Sequence, residues 1–150
     1  MTARTGSRPR TGSPPRGDRW LRAGLVLLAL TEVIEGVWQY FAPRSFYNDV
    51  PTVSADPPFN QHLMTDIGDL GLAMAVVLGA AAVLMDRTLI RVALAAYLVY
   101  SVSHLLYHVT HLGGLSAGGT AFLITGLTLL PAVALTLLIL ATRHPEGRAR

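Results

Sequence analysis

Four apolar segments dominate this 150-residue chain, at about 20–41, 61–85, 88–111 and 119–142. Each is close to the roughly 20 residues that a helix needs to cross a hydrocarbon core about 30 Å thick. Segments of this kind leave few options. In lipid every backbone amide must find its partner inside the protein, so helices are the form expected. Charged residues make up only 14% of the chain, against about 25% in an ordinary soluble domain. The expected fold class is therefore all-α, an integral membrane four-helix bundle in one domain.

The flanks set the orientation. Residues 1–19 are rich in Arg, Pro, Gly, Ser and Thr and are expected to form a disordered basic tail. Residues 143–150 form a second, shorter one. A secretory signal peptide is the rival reading of the first segment, because the apolar run 23–30 is short enough for it. Glu32 and Glu35 follow at once, however, and no small-residue cleavage site is evident, so an uncleaved span is expected. All 12 cationic side chains are arginine. With both termini cytoplasmic, Arg4, Arg8, Arg10, Arg16, Arg19, Arg22, Arg87, Arg91, Arg143, Arg148 and Arg150 fall inside, and only Arg44 falls outside. That is a strong positive-inside pattern. It accounts for the basic character of the chain without any nucleic acid. Cysteine is absent, which removes disulfides, thiolate nucleophiles and Cys-ligated metals from consideration.

The outer connections are then 42–60 and 112–118. The first carries Phe46, Tyr47, Phe59 and several prolines. It is expected either to lie over the bundle mouth as a lid or to rest at the interface through its aromatics. Asn60 is placed to cap the second helix.

Three of the four segments carry a polar stripe. The first has Glu32, Glu35 and Gln39; the second His62, Asp66 and Asp69; the third Tyr97, Tyr100, His104, His108 and His111. Steps of three and four residues place each set on one helix face. At about 1.5 Å rise per residue, Glu35, Asp69 and His104 sit at a common depth, roughly 9–12 Å below the outer boundary. His108 and Asp66 lie above them, Gln39, His62 and His111 near the mouth, and Glu32 close to the midplane. A funnel open to the outside is expected.

An acid at the centre of a spanning helix costs about 2.5–3.5 kcal/mol, so intramembrane ionisable residues point to function. Three readings compete. The preferred one is a metal or haem site with redox chemistry, since imidazole and carboxylate suit zinc, iron or copper. His104 and His108 are its leading ligands, joined by Asp66, Asp69, Glu35 or His62. Glu32, Gln39, Tyr97, Tyr100 and His111 would orient these ligands or relay protons. The second reading is a proton or ion relay through the same groups. The third is structural, with His–carboxylate pairs holding helices together or to a protein partner or second copy.

Other features concern packing. Gly71, Ala75 and Gly79 form a small-residue ridge. Pro131 should kink the fourth segment, with Thr128 available to the freed backbone. Trp20, Trp38 and Tyr40 suit interface anchors, and His144 lies in the tail. Neither a glycine-rich phosphate loop nor a Ser–His–Asp pattern on a nucleophile elbow is present.

The motifs Phe46-Tyr47-(x3)-Pro51, Asp56-Pro57-(x2)-Asn60-(x)-His62-(x3)-Asp66-(x)-Gly68 and Tyr100-(x3)-His104-(x2)-Tyr107-His108-(x2)-His111 resemble an uncharacterised family of small membrane proteins from high-GC bacteria. The resemblance spans about residues 20–115 and implies a bacterial plasma membrane; it brings no activity with it. A looser likeness to DoxX-like four-helix proteins covers topology alone.

Overall fold

The structure, a computed structural model, describes residues 16–55 and 58–143. Five α-helices and a short 3-10 turn follow one another in these residues: α1 (Arg16–Phe41), α2 (Pro43–Asp49), the turn Val53–Ala55, α3 (Gln61–Leu84), α4 (Arg87–Thr110) and α5 (Ala117–Arg143). No strand occurs among the described residues. The helix α3, α4 and α5 are each long and apolar enough to cross a membrane. At 26 residues α1 matches them in length, and it carries Arg22, Glu32 and Glu35 among its apolar residues.

Local chemistry explains the helix ends. Asn60 caps α3 as expected, its side chain accepting from the Leu63 amide at 3.1 Å. Asp86 caps α4 in the same way through Leu89, at 2.8 Å. Between them Met85 takes the left-handed conformation, φ 53°, and its N–H closes α3 on Ala81. Two residues thus reverse the chain.

One expectation needs correction. Residues 16–19 belong to α1 rather than to a tail, and Asp18 in its first turn pairs with Arg87 at the start of α4; an acid there also suits the positive end of the helix. The remaining tail residues, 1–15 and 144–150 with His144, lie outside the described residues, as do Asp56 and Pro57. The connection from α1 to α3 contains α2 and the 3-10 turn. Pro43 starts α2, whose Phe46 is buried and meets Trp38 edge-on at 5.5 Å. Trp38 also donates to Ser45 Oγ at 3.1 Å, so this tryptophan anchors α2 as well as facing the surface. Beyond α2, Thr52 (φ 79°) turns the chain toward Gly119 near the start of α5.

The four long helices form a ring of neighbours. Helix α1 packs on α3 and α5, and α4 packs on the same two, whereas no Cα of α1 comes within 8 Å of α4. Helices α1 and α4 therefore stand on opposite corners and face each other across the axis. The tightest seam is α1 against α3. A Cβ on either Gly36 or Gly68 would stand 2.9 Å from the other's carbonyl oxygen, so both positions require glycine for backbones to meet. At the other seam Gly24 admits the end of Leu137. Thr128, expected to serve the backbone near Pro131, is exposed and makes no side-chain hydrogen bond with a described residue.

Arginines other than Arg44 mark one end of the ring and the histidines of α3 and α4 the other, and the two halves pack differently. Toward the arginine end, Leu21, Leu25, Leu28, Leu78, Ile90, Leu94 and Tyr97 fill the axis with almost no exposure. Arg91 closes this end with two hydrogen bonds to the Ala141 carbonyl, at 3.0 and 3.2 Å. Toward the histidine end, Ser101 is the last buried residue of α4, and Pro131 is the first of α5.

Candidate functional site

The interior faces of α1 and α4 change character halfway along. On α1 the buried row Leu21, Leu25, Leu28 continues in helical steps into Glu32, Glu35 and Gln39. On α4 the row Ile90, Leu94, Tyr97 continues into Ser101, His104 and His108. One face of each helix is therefore apolar at the arginine end and polar at the histidine end. Because α1 and α4 are diagonal partners, the two polar half-faces look at each other across the open half of the ring.

Glu32 lies where the packing gives way. It is 5% exposed and has no hydrogen-bond or ion-pair partner among the described residues. With Leu70, Gly71, Met74 and Tyr100 it lines a cavity of about 70 Å³ between α1, α3 and α4. The bare Cα of Gly71 makes the room: a Cβ there would stand 3.2 Å from Glu32 Oε2. Tyr97 and Tyr100 lie within electrostatic reach of Glu32 and Glu35. Ser101, on the same α4 face as Tyr97, is 8% exposed, and its Oγ has no hydrogen-bond partner among the described residues. Buried polar groups are nearly always satisfied, so the Ser101 hydroxyl calls for an explanation.

From this zone a run of rings leads to the histidine end. Tyr100 stacks on His104 with centroids 5.8 Å apart, and His104 meets His108 edge-on at 4.7 Å. His108 meets Tyr107 at 5.4 Å, and Tyr107 stacks on His111 at 4.3 Å. His104 and His108 are half-buried, and His111 is exposed at the end of the helix.

The third stripe points elsewhere. Asp69 follows Gly68, which is buried against α1, so Asp69 is turned about 100° from that seam. Asp66, Asp69 and His62 are all exposed. His62 and Asp66 pair with each other along α3 at 3.1 Å instead of reaching another helix. The expected convergence of three stripes is corrected to two. With α3 turned away, His104, His108, Asp66, Asp69, Glu35 and His62 do not assemble, and no group of three or more His, Asp or Glu able to hold a metal ion occurs among the described residues. The metal reading loses its ligand set.

Two residues that matter escaped the sequence reading. Ser101 was legible as the next step after Tyr97 on one helical face. Gly36 offered only its mid-span position. The chain matches no family model, no curated protein and no solved structure.

Proposed function

We propose that the protein is a four-span plasma-membrane protein, both termini cytoplasmic, whose outer half is a proton-accepting half-channel ending at Glu32. The arginine placement and three helices of spanning length support the orientation and the membrane. On this reading α1 is the fourth span. The observation that carries the chemistry is Glu32 itself, 5% exposed beside a cavity and without a hydrogen-bond or ion-pair partner among the described residues. Such a group in a membrane interior is neutralised by a proton or a bound cation. The phenol and imidazole rings from Tyr100 to His111 offer successive groups that can hold and pass a proton toward it. Below Glu32 the described core consists of leucine, isoleucine and alanine, with the Tyr97 phenol as its one group able to hold a proton. The protein therefore exchanges protons with the outer face and does not conduct them across.

The test is infrared difference spectroscopy of the protein in liposomes during a jump in external pH. A carboxyl band that follows the external pH and disappears in Glu32→Gln is expected, with no accompanying proton flux into the lumen. A band that persists in Glu32→Gln, or that follows only the internal pH, would overturn the reading.

A further inference from the structure

The α1–α3 pair carries a second feature on its outer flank, away from the polar axis. A groove of about 470 Å³ runs between the two helices, lined by Val26, Val33, Ala75, Gly79 and Val83, with Arg22 at one end. Its floor is open because Ala75 and Gly79 are small; a Cβ on Gly79 would meet nothing within 4 Å. Its walls are exposed valines: Val26 is 41% and Val83 76% exposed.

We infer that this groove holds one acyl chain of an anionic phospholipid of the cytoplasmic leaflet, with the lipid phosphate on Arg22. The inference rests on the membrane orientation proposed above. Length favours a lipid: Arg22 to Val33 is a rise of about 16 Å, half of a hydrocarbon core of about 30 Å and thus one leaflet. A helix from a second copy would need a trough continuing through the other leaflet, and the lining stops at Val33 and Ala75. Charge favours an anionic headgroup. Arg22 is exposed and has no acidic partner among the described residues, whereas Arg87 and Arg91 are engaged with Asp18 and the Ala141 carbonyl. Guanidinium pairs with phosphate through two parallel hydrogen bonds.

Native mass spectrometry of the full chain, released from micelles containing phosphatidylglycerol and phosphatidylcholine in equal amounts, tests this. One retained phosphatidylglycerol is expected, preferred about fivefold over phosphatidylcholine, the bias that one surface arginine confers. Arg22→Gln should erase the preference, and Gly79→Leu, whose Cβ has open space and whose side chain would occupy the groove, should remove the bound lipid of either kind. Equal retention of the two lipids by the natural chain, or undiminished retention in Gly79→Leu, would overturn the inference. So would dimers cross-linked through Val33→Cys that carry no lipid. Labelling of Arg22→Cys by an impermeant thiol reagent from outside would instead refute the orientation, a separable failure.

Discussion

The two halves of the ring share the same four helices and differ in what occupies the axis. Near the arginine end Leu25, Leu28, Leu78, Ile90 and Leu94 close the space with no measurable exposure. Near the histidine end the same faces of α1 and α4 carry Glu32, Glu35, Gln39, Ser101, His104 and His108, and burial falls away. The difference teaches how one bundle can be scaffold and site at once. Dense packing fixes helix positions in one half, which lets the other half hold groups that could not pack a core. The boundary is abrupt: Leu28 is fully buried, and one turn later Glu32 faces a cavity.

The comparison breaks most readily in the packed half. Leu94→Ala should cost about 2–5 kcal/mol, the range for a leucine truncated in a core that relaxes incompletely, read as unfolding in mixed micelles with increasing denaturing detergent. A loss below about 0.5 kcal/mol, the scatter of ordinary surface changes, would mean that the leucine half is not the scaffold.

At the boundary the sign should reverse. Glu32→Leu exchanges an unpartnered buried carboxyl for an apolar group of similar size. It should leave stability unchanged or raise it by about 1–3 kcal/mol, while abolishing the external-pH response of the carboxyl band. A destabilised variant would show instead that Glu32 holds helices together. Opposite signs one turn apart would separate scaffold from site.

How much of this was legible in the sequence follows from what apolar helices reveal singly and what they reveal only in pairs. The helix limits were readable because a run of apolar residues has nowhere else to go: the expected 61–85 and 88–111 differ by single residues from Gln61–Leu84 and Arg87–Thr110. The interior stripes of α1 and α4 were readable because polar residues mark them. The direction of His62, Asp66 and Asp69 was not. A spanning helix can be apolar toward lipid and toward its neighbours alike, so the side of α3 that meets α1 is decided by backbone approach at Gly36 and Gly68. Periodicity within α3 carries no information about that seam. The order of helices around the ring, which makes α1 and α4 diagonal partners, is likewise a property of pairs rather than of any one segment. In the connection between α1 and α3, Pro43 at the first turn of α2 was a readable start, yet Phe46 and Trp38 hold that helix in place through a contact between elements.

The central claim is that the histidine half is open to outside water and the leucine half is sealed. The chain has no cysteine, so single substitutions can be labelled without background. The direct measurement is the rate at which a membrane-impermeant thiol reagent labels Gln39→Cys, Glu35→Cys, His104→Cys and His108→Cys, set against Leu28→Cys and Leu94→Cys, with reagent added to either face in turn. The account predicts labelling of the first four from the outside only, slowing with depth, and no labelling of the last two from either face. Labelling of Leu28→Cys or Leu94→Cys as fast as His104→Cys, or labelling of His104→Cys from the cytoplasmic face, would contradict it.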